Sequence, residues 1–317
     1  MQKFTDTCMR PTYLDEYQGQ DKIKKALTFY IKAAKMREEC LDHTIIYGPS
    51  GLGKTTLANI ISNEMDKDLF TVAAPTLKTV DDLRSVLMNL DPGQILFIDE
   101  IHRLPKKLEE VLYFAMEDFV MDITVNEVKE RIELSPFTLI GATTSRGALS
   151  EPLRNRFQIS LELTPYNENH LAGIVKKTFE RLEMNINDDC ALAISKRGRG
   201  IPRIVNGFVR RVADFAMIMN DGVVTEEVVE EAFDFLGIDE YGFTEQDRRY
   251  LIVLVDQFKS KAVGIDTLCG ALNDDKKTIE NTVEPYLIQV GFIRKTPRGR
   301  IITEEGFNTV RQWIKGE

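Results

Sequence analysis

The chain has little that would tie it to a membrane, an oxidising compartment or a zinc site. No stretch of its 317 residues approaches the roughly 18 uncharged apolar positions of a helical span. The first residues, Met1-Gln2-Lys3-Phe4-Thr5-Asp6, lack the apolar segment of a secretory leader, so none is expected. Only four cysteines occur, Cys8, Cys40, Cys190 and Cys269, far apart and without metal-ligand spacing. Free thiols in a reducing cytosol are the expectation, and with them a cytoplasmic location. The three histidines, His43, His102 and His170, are equally dispersed, which argues against zinc. Internal repeats and low-complexity segments are absent. Positive charge is also short: 41 Lys and Arg face 50 Asp and Glu, a net charge of −9. That argues against avid, non-specific nucleic-acid binding by the whole surface, although a basic patch can sit on an acidic molecule.

What is present begins with Gly48-Pro49-Ser50-Gly51-Leu52-Gly53-Lys54-Thr55-Thr56, which fits the phosphate-binding pattern G-x-x-x-x-G-K-[ST]. A triphosphate needs many donors at close range. Gly48, Gly51 and Gly53 let the backbone fold tightly, so that successive N–H groups point inward. A helix starting here adds its positive end. Lys54 brings a point charge to the β- and γ-phosphates, and Thr55 a hydroxyl for Mg²⁺. The context suits this: His43–Tyr47 reads as a strand before the loop and Leu57–Ile61 as a helix after it.

Residues 21–38 place Ile23, Ala26, Leu27, Tyr30, Ile31 and Ala34 at helical spacing, which predicts a core-facing helix. Strand-like runs recur at 43–47, 69–73, 95–98 and 137–142 with helical stretches between them. That alternation predicts an α/β domain with a largely parallel sheet. At 120–134 apolar residues alternate with polar ones, which predicts an inserted hairpin with its turn near 126–130. From 167 to 236 the pattern is all-helical, with helices near 167–182, 188–197, 203–219 and 225–236. After a boundary at 237–242 come helices near 244–258, 264–272 and 275–289, then short strands around Thr296-Pro297-Arg298-Gly299. This reads as a helix-turn-helix with a two-stranded wing. The expected domains are 1–166 (ATPase), 167–238 (helical lid) and 239–317 (winged helix).

Further chemistry sits at strand ends. Ile95-Leu96-Phe97-Ile98-Asp99-Glu100 ends in two carboxylates; Asp99 suits Mg²⁺, directly or through water, and Glu100 suits a general base. Leu139–Thr144 ends in hydroxyls, and either Thr143 or Thr144 is placed to meet a γ-phosphate. The loop Pro152–Phe157 holds Arg154 and Arg156, which serve either as phosphoryl-charge stabilisers for a neighbouring subunit or as surface ion pairs. Arg203 starts a helix and either reaches the phosphates or faces solvent. Arg294, Lys295, Arg298 and Arg300 cluster on the wing, where they contact a phosphate backbone or simply form a charged hairpin.

Taken in order, these motifs resemble the AAA+ ATPases and, among them, the RuvB family of bacterial Holliday-junction branch-migration motors. The resemblance runs from Arg10-Pro11 to Arg300. Besides the loop it rests on Leu96–Leu104, Ala115-Met116-Glu117-Asp118-Phe119, Pro136–Thr144, Pro152–Phe157 and Thr296-Pro297-Arg298-Gly299-Arg300. It implies ATP and Mg²⁺ as cofactors, with Lys54, Thr55 and Thr56 as Walker A, and Asp99 and Glu100 as Walker B. It further implies Thr144 as first sensor, Arg156 as arginine finger with Arg154 its companion, and Arg203 as second sensor. Met9, Arg10 and Tyr166 match positions lining the adenine-nucleotide pocket. Glu117, Asp118 and Phe119 match a segment near the nucleotide, and Lys295 and Arg300 match DNA contacts, with Arg298 between them. The implied partners are duplex DNA at Holliday junctions, a RuvA-type protein docking on the 120–134 hairpin, a junction resolvase, and copies of the chain in a hexameric ring. Three positions depart from the family pattern: Ser50 replaces a usual proline, Lys295 a typical arginine, and the hairpin is short and lacks glycine at its tip.

Two other readings compete. A clamp-loader-like or initiator-like AAA+ switch would position a partner without sustained movement. An ATP-binding transcription regulator would read a DNA site; against it, the basic residues lie on the wing and not along one recognition helix.

Overall fold

The structure, a computed structural model, describes residues 9–125 and 128–316. It divides into two compact units. The first is the chain up to Glu183 together with Gly200–Arg210, and the second is Met184–Arg199 with Arg211–Glu317.

The first unit is built on seven strands: β1 (Thr44–Tyr47), β2 (Leu69–Ala73), β3 (Ile95–Asp99), β4 (Val120–Val125), β5 (Val128–Glu133), β6 (Thr138–Thr143) and β7 (Ile159–Glu162). Five of them form one sheet in the order β2-β3-β6-β1-β7. Every pairing in it is parallel. The central strands β1 and β6 are buried along their whole length, as uninterrupted apolar and β-branched runs require. At the edges, β7 alternates buried and exposed positions, whereas β2 has none that is fully buried. Sequence reading missed β7: it is only four residues long and sits at the edge. Registers Tyr47↔Thr143 and Ala73↔Asp99 bring the ends of β1, β3 and β6 to one edge of the sheet. This is where a doubly wound fold places its ligand.

Helices α1 (Asp21–Arg37), α2 (Lys54–Met65), α3 (Val80–Met88), α4 (Lys106–Glu117), α5 (Glu151–Asn155) and α6 (Glu168–Arg181) complete this unit. In α1 the buried residues are Ile23, Leu27, Ile31 and Ala34. Tyr30, expected on that face, is 45% exposed, because it lies at the margin of the apolar stripe. In α2, Leu57, Ile60 and Ile61 are fully buried, each contributing roughly 1.5–3 kcal/mol.

The expected hairpin exists as a separate antiparallel pair, β4 with β5, inserted between β3 and β6. Its ladder runs from Val120↔Glu133 to Val125↔Val128. Residues 128–130, expected in the turn, are therefore strand, in keeping with the β-branched Val125 and Val128 that flank the tip. Residues 126 and 127 of the expected turn lie outside the described residues.

The second unit holds α7 (Asp188–Lys196), the C-terminal half of α8 (Pro202–Met219), α9 (Glu226–Leu236), α10 (Glu245–Asp256), α11 (Ile265–Leu272), α12 (Lys276–Thr278), α13 (Glu284–Gln289) and α14 (Glu304–Gly316). It also holds the antiparallel pair β8 (Ile293–Thr296) and β9 (Gly299–Ile302). Thr244 and Asp247 form a reciprocal capping box that starts α10. Phe243, Tyr250, Leu254, Leu268, Ile279, Leu287 and Phe292 form its core. The expected helix over 275–289 is not regular: a π-helical segment, Ile279–Val283, separates α12 from α13. Pro285 explains it, since proline lacks an N–H and its ring crowds the carbonyl four residues back.

Candidate functional site

One cavity of about 370 Å³ lies at the carboxyl edge of the sheet, and all its lining residues belong to the first unit. Gly48, Gly51 and Gly53 have φ of 148°, 84° and 97°. A side chain on Gly51 would press within 2.7 Å of Ile201, so the loop path there demands glycine. Helix α2 starts at Lys54 with Gly53 as its cap and no side-chain cap, which leaves its first N–H groups for a ligand.

The Lys54 ammonium, largely buried, donates to the carbonyls of Gly48 (2.7 Å) and Pro49 (2.9 Å). Burial lowers its pKa, while Asp99 and Glu100 pull it back up. Thr55, Thr56, Asp99, Glu100, Thr143 and Thr144 line the same cavity. Two hard oxygen ligands, the Thr55 hydroxyl and the Asp99 carboxylate, thus share one space, a donor set that fits Mg²⁺.

Glu100 follows β3 in a left-handed conformation, φ 50°. A residue without glycine's freedom stays there only when its surroundings hold it. Its carboxylate pairs with Arg103 at 2.8 Å. That bond, first among its causes, holds the Glu100 pKa below the usual carboxylate range. Thr143 is buried and shares a hydrogen bond with His102 Nδ1 at 2.8 Å, whereas Thr144 is exposed to the cavity. The strand end is thereby tied to the loop that carries Glu100.

Arg203 touches the loop twice. Its N–H donates to the Gly51 carbonyl at 3.3 Å and its guanidinium to the Ser50 hydroxyl at 3.2 Å. The second contact exists because residue 50 is serine; proline offers no acceptor there. The far end of the cavity is lined by Met9, Arg10, Tyr17, Tyr166, Lys177, Arg181 and Asn206. Tyr166 donates to the Tyr17 hydroxyl at 2.9 Å, and Arg181 and Lys177 bond Glu16 by its carboxylate and carbonyl, both at 2.8 Å. Burial raises the pKa of both tyrosines, so they stay neutral. Sequence reading missed Tyr17, Lys177, Arg181 and Asn206, which belong to no local motif.

Other expected residues lie outside this cavity. Gly48 does not line it, although its carbonyl accepts from Lys54. Arg156 caps α5 and pairs with Glu117 of its own chain at 2.7 Å, while its Nε has no hydrogen-bond partner among the described residues. The loop carrying it is pinned to α4, because Ser150 bonds Glu109 and Tyr113. Asp118 is exposed, and Phe119 (φ 52°) packs against His43 and Phe137 with ring centroids 6.3 and 5.8 Å away. Arg154 is exposed.

In the second unit, the wing presents Arg294, Lys295 and Arg298 as exposed side chains. Arg300 behaves differently: it turns inward, 12% exposed, onto Glu284 and Glu280.

Comparison with known proteins now bears on these two sites. Residues 9–163 match the model of the Holliday junction DNA helicase RuvB P-loop domain. Residues 166–239 match the RuvB AAA lid domain and 240–311 the RuvB C-terminal winged helix domain. The chain belongs to the RuvB family. Among solved structures it is similar to the Thermotoga maritima RuvB Holliday junction branch migration motor, at 41% identity, 96% of this chain, 98% of that chain and a TM-score of 0.83. A point variant of the same Thermotoga protein matches with a TM-score of 0.84, also at 41% identity and with coverage of 96% and 98%. The RuvB architecture expected from the sequence is therefore present: a parallel-sheet P-loop ATPase domain, a helical lid and a winged helix. As a P-loop ATPase the chain binds nucleotide. Among the described residues no helix is long and apolar enough to cross a membrane.

The Glu100–Arg103 pair sets an expected pH response for a RuvB ATPase. For Glu100 in the general-base role expected from the sequence, the working form is the carboxylate, and the bond from Arg103 keeps it deprotonated to lower pH. In Arg103→Ala the acidic limb of the ATPase pH profile moves to higher pH, with the basic limb unchanged. An acidic limb that stays in place separates Arg103 from the base.

Proposed function

We propose that the chain is the ATP-driven motor of Holliday-junction branch migration, pulling duplex DNA during recombination and repair. The observation that carries this reading is the convergence of Lys54, Asp99, Glu100, Thr144 and Arg203 on one cavity, in a chain whose successive segments all match RuvB domains. Lys54 and the N–H groups at the start of α2 hold the β- and γ-phosphates. Met9, Arg10 and Tyr166 enclose the base. Water attacks the γ-phosphorus, Glu100 takes its proton, and the bond to the β-phosphate oxygen breaks to give ADP and phosphate. Mg²⁺, bound by Thr55 and by Asp99 directly or through water, would neutralise charge on the phosphate oxygens. Thr144, the exposed member of the threonine pair, orients the water, and Arg203 moves the lid according to the phosphates present.

Arg156 acts on a neighbour's nucleotide. It stands outside its own cavity and pairs with the exposed Glu117, which Asp118 and Phe119 follow in the chain. That requires a ring, for which six copies are the expected number. Exposed Ile218 and Phe235, 86% and 78% accessible, offer apolar surface for such contacts. The division into ATPase, lid and winged helix near 166 and 238, a RuvA-type partner on the hairpin, a junction resolvase and a bacterial cytoplasmic location complete this reading.

The wing grips the backbone of DNA through Lys295, Arg298 and Arg300, without reading sequence. Equal affinity for two unrelated duplexes is the expected result, and Arg298→Gln should reduce the slope of log affinity against log salt by about one. A strong preference for one duplex points instead to a regulator.

A further inference from the structure

Glu284 is fully buried at the start of α13, yet it gathers charge. Its Oε1 accepts from Arg300 Nε at 2.6 Å and from the Tyr250 hydroxyl at 3.1 Å. Its Oε2 accepts from Arg300 Nη2 at 3.2 Å and pairs with Lys295 Nζ at 2.8 Å. Glu280, on the π-helical segment, takes a further bond from Arg300 Nη2 at 2.7 Å. Burial alone would raise the Glu284 pKa, but the bonds from Arg300 and Lys295 outweigh it and hold the carboxyl below its ordinary range.

The geometry of the wing gives this hub a purpose beyond packing. Lys295 on β8 and Arg300 on β9 are direct cross-strand partners. Like charges opposite one another on neighbouring strands repel and splay apart. A single carboxylate beneath both removes that repulsion and fixes both cations to the helix. Lys295 remains 49% exposed, and Arg300 Nη1 takes no part in these bonds. Each cation keeps donors for another acceptor while its side chain is already ordered, which lowers the cost of ordering it on binding. A buried carboxylate serving packing alone needs no second cation half in solvent.

We infer that Glu284 is a positioning residue for the grip on DNA: it holds Lys295 and Arg300 as a preset cationic pair for backbone phosphates. The inference rests on the reading that the wing binds duplex DNA. Glu284→Gln keeps the shape but removes the charge that orders the pair. It should weaken duplex binding by the full chain about tenfold and reduce the salt slope by one to two. Tyr250→Phe removes another bond to the same carboxylate without touching either cation. It should lower the melting temperature yet bind DNA with native affinity and slope. Glu280→Gln, which loosens Arg300 at a part-exposed site, should weaken binding about threefold with melting unchanged; it decides the matter where Glu284→Gln does not fold.

Native or tighter binding by Glu284→Gln contradicts the role, since removing a carboxylate that only competes with phosphate strengthens binding. Binding lost by Tyr250→Phe in proportion to its melting temperature also contradicts it, because the hub then acts only through stability. So does native binding by Glu280→Gln. Arg298→Gln separates the two layers of inference. If it loses its unit of salt slope while the Glu284 and Glu280 variants bind as wild type, only the Glu284 role falls. If the wild type shows no salt-dependent affinity for duplex, the DNA reading falls and the positioning role with it.

Discussion

Lys54→Ala lowers ATP turnover by about a hundred- to a thousandfold, the range for losing one preorganised charge donor at a transferring group. The size follows from where the ammonium sits. It is largely buried and held inside the loop by the carbonyls of Gly48 and Pro49, so its position is fixed before a ligand arrives. A charge fixed in a water-poor site acts more strongly than one in solvent and needs no reorganisation as negative charge shifts during phosphoryl transfer. The substitution leaves the strand–helix frame intact, because Ile45, Ile46, Leu57, Ile60 and Ile61 supply its packing. Steady-state phosphate release, read beside a melting curve, checks it. Turnover within threefold of wild type, with the fold intact, removes this cavity from the ATPase mechanism.

Arg156→Ala has an effect of the same order or larger, about a thousandfold or more, if it supplies the arginine finger. Its placement makes the test sharper than a single mutant allows. In its own chain the guanidinium is paired with Glu117 and lies outside the cavity. A finger working across a subunit boundary predicts complementation. Subunits of Lys54→Ala carry a usable Arg156, and subunits of Arg156→Ala carry a usable cavity. Mixed at equal concentration, the two inactive proteins should recover ATPase activity at those boundaries where an intact finger meets an intact cavity. Mixtures that co-assemble yet stay inactive contradict the shared site. Arg154→Ala, whose side chain is exposed and unpaired with Glu117, should lose far less.

How much of this was legible in the sequence depended on whether local spacing or tertiary context decided the matter. The glycine loop, the Asp99-Glu100 strand end and Thr143-Thr144 could be read, because each lies at the end of a short apolar run that forms a buried parallel strand. The cavity's far wall could not. Tyr17, Lys177, Arg181 and Asn206 are scattered over the chain and meet only when α6 and the start of α8 pack beside the loop. Helix α14 was missed for a different reason. Gly306 in its first turn reads as a breaker, but a side chain there would come within 2.6 Å of the Phe292 carbonyl, so close packing demands glycine. The inward turn of Arg300 was equally invisible: a basic wing reads as an exposed one until Glu284 is seen buried beneath it. Ser50, a departure from the family pattern, gained a role as acceptor for Arg203 that only the fold reveals.

The central claim is that hydrolysis at this cavity moves a DNA junction. The most direct measurement follows the conversion of a synthetic four-way junction with mobile homologous arms into two duplexes, with a RuvA-type protein present, comparing wild type with Glu100→Gln. The account predicts ATP-dependent conversion by the wild type and none by Glu100→Gln, which still binds ATP and DNA. Conversion by Glu100→Gln at the wild-type rate, or no conversion by a wild type that hydrolyses ATP on the same junction, would contradict it.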